Sequence, residues 1–257
     1  MTTLETVVTA GLLVNASAVV ASVTVFRRAR PSQTSPRLLS FAIGVLLGTV
    51  LLDLLPHLWE ATGSWAMVIA LFTAALLASR LFDRVCPCRH VEHVDHPHHS
   101  THEHASSGAS ALLLAGDLAH NLVDGALIAA ALAAGVVPGA VATLAVAMHE
   151  VPRRVAVVAL LVRAGRRPAR ALWLTAGTGL GTVLGGLLIV WSTNLLEAVL
   201  PAVLAITAAA TLYAALNRSA HELIGSRVRS LTAELAGPFL AGFLMIEVSH
   251  HLLELLT

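Results

Sequence analysis

The sequence predicts an all-α polytopic membrane protein, a bundle of eight transmembrane helices with both termini on the extracytoplasmic side. Of its 257 residues, 56% are hydrophobic and 12% are charged, whereas soluble domains carry about 25% charged residues. The mean hydropathy is +0.80. A spanning helix needs roughly 20 mainly apolar residues. Eight such runs make up one domain covering 1–257, and they lie near 4–26, 38–58, 64–82, 110–134, 136–162, 170–193, 196–216 and 237–256.

Arginine is distributed unevenly among the connections between these runs. All 16 basic residues are arginines. Fourteen of them follow runs 1, 3, 5 and 7: Arg27, Arg28, Arg30, Arg37, Arg80, Arg84, Arg89, Arg163, Arg166, Arg167, Arg170, Arg218, Arg227 and Arg229. The alternate connections HLWEATGS, AAGVVPG and STNLLE contain none. Because cytoplasmic loops carry the excess of basic residues, this split predicts that both termini lie outside the cytoplasm. The first residues, MTTLETVV, lack the basic segment of a signal peptide, so we expect run 1 to remain as a span.

Two of the runs carry polar and charged residues at their centres. Run 4 contains GDLAHNLVDG, in which His120 and Asp124 lie one helical turn apart on one face. Run 5 contains AMHEVPRRVA, with His149 and Glu150 near its midpoint, so both clusters reach the bilayer centre at one level. A charge at that depth costs roughly 2.5–3.5 kcal/mol, and imidazole and carboxylate groups bind zinc and similar divalent metals. These four residues therefore predict a metal site, with a metal-free hydrogen-bond network as the alternative.

The motifs HNLVDG and HEVP resemble the signature helices of the Zrt/Irt-like protein (ZIP) family of divalent-metal transporters. GVLLGTVLLDLLPHLWE in run 2 and TLYAALNRSAHELI in run 7 are also similar to that family. The resemblance implies eight spans, both termini outside, and a His-rich cytoplasmic loop between spans 3 and 4. It also implies that His120, Asp124 and His149 are the main transport-site ligands. Asn121 and Glu150 match positions that form a second, adjacent metal site in the family.

Run 5 departs from the family pattern, which is H-E-x-P-(H/Q/E)-E, often followed by G-D. Arg153 and Arg154 stand where a ligand and an acidic residue are expected, and Val157 replaces the usual aspartate. A guanidinium has no lone pair to offer a cation and stays protonated in proteins. Our hypothesis is that Arg153 occupies the place of the second metal, pairs with Glu150 or Asp124 as a counter-charge, and leaves a single-metal site. The alternative is that Arg154 pairs locally or extends toward the interface, and that transport is weakened or lost.

Further polar residues are candidates for a cation pathway. Asp53 and His57 lie one turn apart near the outer end of run 2, and Asp117 lies one turn before the second-site asparagine of run 4. His221 and Glu222 follow run 7 near the inner side. These residues are predicted either as stations for a passing cation or as ordinary polar residues of the membrane interface.

The connection between runs 3 and 4, at 83–109, is predicted to be a cytoplasmic loop rich in histidine. Its segment CPCRHVEHVDHPHHSTHEH lacks the rigid spacing of a structural zinc finger, and His-rich tracts bind metals by composition. We expect weak chelation at several positions, or a solvated linker with incidental affinity. The histidines are His90, His93, His96, His98, His99, His102 and His104.

The predicted function is transport of a divalent metal toward the cytoplasm, with zinc favoured over iron, manganese or cadmium. We expect no enzymatic activity and no cofactor besides this metal, because H149-E-V-P-R153 lacks the second histidine of an H-E-x-x-H metalloprotease helix. One alternative is a cation diffusion facilitator-like exporter, although that family resembles a six-span bundle followed by a soluble domain. Another is a non-transporting ZIP-like metal sensor or binding protein.

The expected partners are the metal ion and membrane lipid, with no nucleic acid. Several members of the family that the chain resembles form homodimers, and no feature of the sequence fixes the oligomeric state. We expect a multi-pass protein of a prokaryotic plasma (inner) membrane.

Overall fold

The computed structural model describes residues 3–28, 36–85, 107–191, 193–216 and 228–254. These ranges are helical apart from short turns, so the all-α prediction is confirmed. In chain order the helices are α1 (Thr3–Arg28), α2 (Pro36–Gly48), a π-helical segment (Thr49–Leu54), α3 (Leu55–Thr62), α4 (Trp65–Val85), α5 (Ser107–Ala134), α6 (Val136–Arg163), α7 (Pro168–Thr178), α8 (Gly181–Trp191), α9 (Thr193–Leu216) and α10 (Val228–Glu254).

Within the described residues, six helical stretches are long and apolar enough to cross a membrane. They are Leu4–Arg27, Pro36–Thr62, Trp65–Val85, Gly108–Ala134, Pro168–Trp191 and Ala198–Leu216. α6 also has the length of a span, but the buried charges of Glu150, Arg153 and Arg154 lower its hydropathy. α10 contains the shorter apolar stretch Leu235–Val248. This combination is typical of a multi-pass membrane protein.

Runs 6 and 8 differ from the observed helices in where a helix begins or ends. Run 6 is predicted as one helix, but α7 ends at Thr178 and α8 begins at Gly181, because the glycine-rich sequence between them favours a helix poorly. Run 8 is predicted to begin at the Gly237–Pro238 pair, but α10 begins at Val228 and contains Pro238. Hydropathy marks the part of a helix that suits lipid, and a helix can extend beyond that part.

The stretch Pro36–Thr62 changes its helical geometry halfway along. Pro56 has no backbone N–H and cannot donate an α-helical hydrogen bond, and the N–H of Leu55 donates to the carbonyl of Val50, five residues earlier. The resulting wider π turn contains Asp53, whose side chain is buried in the bundle. Such single π turns are frequent at functional sites.

Glycines allow two pairs of helices to pack with their backbones in contact. A Cβ on Gly48 of α2 would lie 2.8 Å from the carbonyl oxygen of Phe243 in α10. A Cβ on Gly125 of α5 would lie 2.6 Å from the carbonyl carbon of Thr182 in α8. Small residues of this kind permit close approach of membrane helices.

The largest apolar cluster surrounds the second half of α6. All residues of 155–161 are buried, so this part of the helix has no exposed face. Apolar side chains from α1, α2, α5, α7, α9 and α10 pack around it, including Phe26, Leu39, Leu46, Leu113, Ala171, Ala215 and Ile246. α6 is therefore the central helix of the bundle at this end.

Candidate metal site

α5 and α6 are neighbouring antiparallel helices separated by Gly135 alone, and they bring three of the predicted ligands together. Nε2 of His120 lies 3.5 Å from Oδ1 of Asp124, and Nε2 of His149 lies 3.4 Å from the same oxygen. One ligand atom from each residue lies within 4.8 Å of the others. The imidazole rings meet edge to face, with centroids 5.6 Å apart. We call these three buried residues, His120, Asp124 and His149, the metal triad.

The His120 ring is deeply buried and lacks hydrogen bonds. Its side chain is 2% exposed, and within the described part of the chain neither Nδ1 nor Nε2 has a hydrogen-bond partner. Buried polar groups are nearly always hydrogen-bonded, because leaving one unpaired costs its full desolvation energy. Nε2 lies near carboxylate oxygens of Asp124 and Asp53 without a hydrogen bond to either, and a metal ion held between these groups would give it a partner.

Asp53 and His57 extend the triad toward one side of the bundle. Oδ2 of Asp53 lies 4.0 Å from Nε2 of His120. Nδ1 of His57 lies 3.3 Å from Oδ1 of Asp53 and 2.8 Å from the carbonyl oxygen of Asp53. Side-chain exposure falls from 37% at His57 to 11% at Asp53. The two pathway candidates of run 2 thus form a continuous series of metal-binding groups that leads to His120.

Glu150 lies on the other side of the triad, and both of its carboxylate oxygens accept hydrogen bonds from arginine. Nε of Arg153 donates to Oε2 over 2.9 Å, and Nη2 contacts the same oxygen. Nε of Arg154 donates to Oε1 over 2.9 Å, and its Nη2 also contacts that oxygen. Hydrogen bonds between an ionised donor and an ionised acceptor are stronger than those between neutral groups.

Arg153 also connects α6 to α5. Its Nη1 donates to Oδ1 of Asp117 over 2.7 Å, and the other oxygen of Asp117 accepts a hydrogen bond from Thr178. The sequence left open whether Arg153 pairs with Glu150 or Asp124; the observed partners are Glu150 and Asp117. The buried charges alternate in sign from Asp117 through Arg153 and Glu150 to Arg154, and their formal sum is zero. Buried charges are tolerated when they are paired in this way.

Arg154 ends this series in a pocket of neutral oxygens. Its Nη1 donates to Oδ1 of Asn15 over 2.9 Å and to the carbonyl oxygen of Thr175. Thr175 lies in the last turn of α7, and its carbonyl oxygen also accepts hydrogen bonds from the N–H of Gly179 and the hydroxyl of Thr178. A Cβ on Gly179 would lie 2.6 Å from Nη1, so a glycine leaves the space that the guanidinium fills. Arg154 is fully buried and pairs locally within the bundle.

Asn121 lies beside the triad, but its amide is engaged elsewhere. Its Nδ2 donates to the carbonyl oxygen of Asp117 over 2.7 Å, and its Oδ1 accepts a hydrogen bond from Thr182 over 3.0 Å. Of the five predicted metal ligands, the structure groups His120, Asp124 and His149. Asn121 and Glu150 make hydrogen bonds on the side of the triad where Arg153 lies.

The remaining predicted positions lie outside the described residues. They are the pathway candidates His221 and Glu222 and the loop histidines His90, His93, His96, His98, His99, His102 and His104.

Four polar residues that contact the site are not among the predicted site residues. Asn15, Thr175, Thr178 and Thr182 lie in the predicted runs 1 and 6. Asn15 had a detectable signal, because an amide inside the apolar run LLVNASAVV needs a partner. Thr178 and Thr182 had none, since a threonine hydroxyl is commonly satisfied within its own helix. Thr175 had none because it contributes its backbone carbonyl, a group that every residue carries.

Comparison with known protein families matches residues 78–248 to the ZIP zinc transporter family. The match includes 171 of the 257 residues, and the metal triad and both arginines fall inside it. A search of curated proteins gives no significant match. The chain therefore belongs to the ZIP family, whose members transport divalent metal ions, and it is a multi-pass membrane protein.

Proposed function

We propose that this protein carries one divalent metal ion, zinc in preference to others, across the membrane toward the cytoplasm through the metal triad. The observation that carries this proposal is the buried His120 ring without a hydrogen-bond partner, next to a carboxylate and a second imidazole. In a chain of this family, a metal ion is the partner whose chemistry fits two imidazoles and a carboxylate.

The spacing of the triad supports zinc. Zinc binds histidine nitrogen and carboxylate oxygen at about 2.0–2.2 Å in a tetrahedron, which separates neighbouring ligand atoms by about 3.3–3.5 Å. The observed separations of 3.5 Å from His120 and 3.4 Å from His149 to Oδ1 of Asp124 fit that geometry. Asp53 is the candidate for a fourth ligand, since Oδ2 needs to move only slightly from its position 4.0 Å from His120.

The charges near the triad support a single ion. The formal charges of Asp117 and Glu150 are balanced by Arg153 and Arg154, which act as built-in counter-charges. The carboxylates of Asp53 and Asp124 remain, and one divalent cation would balance them. The proposal leaves Glu150 and Asn121 out of the coordination sphere, because their polar side-chain atoms already have protein partners.

The proposal includes eight spans with both termini outside the cytoplasm. Six of these spans would be the stretches that are long and apolar enough to cross a membrane, and α6 and α10 would be the other two. The 14 arginines in alternate connections support this orientation. Metal would then arrive past His57 and Asp53 and leave toward the end of the bundle where α5 begins and α6 ends.

Uptake of radiolabelled zinc into proteoliposomes tests the proposal. Wild type should accumulate zinc, and His120→Ala and His149→Ala should lose that uptake because each removes a triad ligand. Ser79→Ala is the matched control, since the Ser79 hydroxyl is buried in α4 and donates to the carbonyl oxygen of Ala75 in its own helix. Uptake that is equal in wild type and His149→Ala would overturn the proposed site.

A metal-binding protein without transport is the second candidate. It is favoured by the complete burial of residues 155–161 of α6, which closes one end of the bundle beyond the triad. Zinc binding that depends on His149, together with no zinc flux in wild-type proteoliposomes, would identify this function.

A further inference from the structure

The two sides of the metal triad differ in chemistry. Asp117 precedes His120 by three residues on α5, and Arg153 follows His149 by four residues on α6. Because the two helices are antiparallel, both steps lead in one direction, by about 4.5 and 6 Å at 1.5 Å per residue. This direction leads to the end of the bundle where α5 begins and α6 ends, which we call the inner end.

Two layers close the inner side. The first is the ionic layer of Asp117, Glu150, Arg153 and Arg154, all buried. The second is the apolar plug, residues 155–161 of α6, whose seven consecutive residues are all buried and extend about 10 Å along the helix. Neither the guanidinium groups nor the apolar side chains can coordinate a cation.

The opposite side offers metal-binding groups instead. His57 is partly exposed, Asp53 is largely buried, and both connect to His120 through the contacts described above. An ion can therefore exchange ligands on this side, whereas a positive charge lies beside the triad on the inner side. The structure represents a form that is closed at the inner end.

We propose that Arg153 is a gate residue and that its ion pair with Asp117 must open for the metal ion to leave through the inner end. This inference rests on the proposed transport function. The Arg153–Asp117 contact crosses from α6 to α5, whereas the contact with Glu150 stays within α6. Arg153 can therefore leave Asp117 and remain paired with Glu150, without any unpaired guanidinium.

The arriving ion itself favours opening. A divalent cation at the triad repels the guanidinium of Arg153, because like charges repel strongly where water is excluded. Once Arg153 moves, Oδ1 of Asp117 becomes available to the passing ion as an oxygen ligand. After the ion has left, Asp117 attracts Arg153 again and the gate closes. Asp117 thus exchanges a guanidinium partner for a metal partner during each cycle.

The double variant Asp117→Asn/Arg153→Met tests the gate. It removes one charge of each sign, so the net charge of the ionic layer stays the same and Glu150 stays paired with Arg154. Zinc flux is measured in proteoliposomes that contain a zinc-sensitive dye, and zinc affinity is measured separately by equilibrium binding. We expect the maximal rate to rise about tenfold, the factor for losing one charged hydrogen bond. We expect KM and the zinc affinity to change less than about threefold, because the triad is intact.

Two further variants separate a gate from general loosening of the bundle. Arg153→Lys keeps the charge but loses the planar group that reaches Glu150 and Asp117 together, so its maximal rate should lie between those of wild type and the double variant. Tyr213→Phe removes a 2.7 Å hydrogen bond between α9 and Asp83 of α4, away from the triad, and its rate should equal that of wild type. If the double variant does not fold, Arg153→Lys carries the test.

The outcomes distinguish the gate from the proposed function. If wild-type uptake depends on His149 but neither the double variant nor Arg153→Lys exceeds the wild-type rate, the gate is overturned and the transport site stands. A rate increase that Tyr213→Phe reproduces also overturns the gate. If wild type and His149→Ala show equal uptake, the proposed function is overturned, and the gate is overturned with it.

Discussion

Nε2 of His149 lies 3.4 Å from Oδ1 of Asp124, across the interface of α5 and α6. This separation suits two ligands of one tetrahedral zinc ion, and it makes the Asp124 carboxylate the bridge between the two imidazoles of the metal triad. The role of this carboxylate can be tested without changing its shape.

Asp124→Asn should weaken zinc binding by more than about 100-fold, since even the loss of a group that only orients a ligand costs 10–100-fold. The affinity is measured by competition with a chelator of known strength. Asp83→Asn, a change of the same kind away from the triad, should bind zinc as wild type does. A Kd for Asp124→Asn within about threefold of wild type would remove Asp124 from the site.

Arg154→Met should destabilise the protein strongly. The variant leaves Glu150 with one guanidinium partner instead of two, and it removes the donor to Oδ1 of Asn15. Breaking a buried ion pair by removing one partner costs about 3–5 kcal/mol. The thermal midpoint in detergent should fall accordingly, whereas the same change at the exposed Arg27 should leave it within experimental error. Equal midpoints for the two variants would contradict a structural role for Arg154.

Gly179→Ala should also destabilise the protein, because its Cβ would overlap the guanidinium of Arg154. Gly177→Ala, two residues earlier in the last turn of α7, is the control, since a Cβ there meets no atom within 4 Å. Alanine favours a helix over glycine, so Gly177→Ala should be neutral or stabilising. The effect of Gly179→Ala should shrink in an Arg154→Met background, because residues in contact are energetically coupled. Equal costs in both backgrounds would mean that the two sites act independently.

Arg153→Glu should allow a second metal ion to bind. The substitution removes the guanidinium between Asp117 and Glu150 and adds a carboxylate beside them. Zinc is counted per chain by elemental analysis after gel filtration, with Arg27→Glu as the control for a charge change at an exposed position. A higher zinc count for Arg153→Glu alone supports the assignment of Arg153 as a counter-charge, and an unchanged count rules it out.

Much of the fold could be predicted from the sequence because the ends of the central helices carry strong signals. Run 5 was placed at 136–162, and α6 covers Val136–Arg163, since Gly135 interrupts the helix on one side and arginines end the apolar run on the other. The break between α7 and α8 and the π turn at Asp53 were not predicted. Both depend on local backbone hydrogen bonds that hydropathy does not report.

The grouping of His120, Asp124 and His149 could be predicted because residues near the midpoints of two adjacent antiparallel helices lie at the same depth in the membrane. The residue of α5 that pairs with Arg153 could not be predicted. Asp124 and Asp117 lie two turns apart on that helix, and the rotation and register of α6 decide which carboxylate the guanidinium reaches. The residues around Arg154 could not be predicted from the sequence either. Asn15 lies 139 positions away, and its contact with Arg154 forms only when the helices pack together.

X-ray absorption at the zinc edge, on protein loaded with one equivalent of zinc, tests the metal triad most directly. We predict a zinc shell of nitrogen and oxygen at about 2.0–2.1 Å, with scattering from two imidazoles that falls to one in His149→Ala. A shell that contains sulfur, or a spectrum that is the same in wild type and His149→Ala, would show that zinc binds elsewhere and would contradict the account.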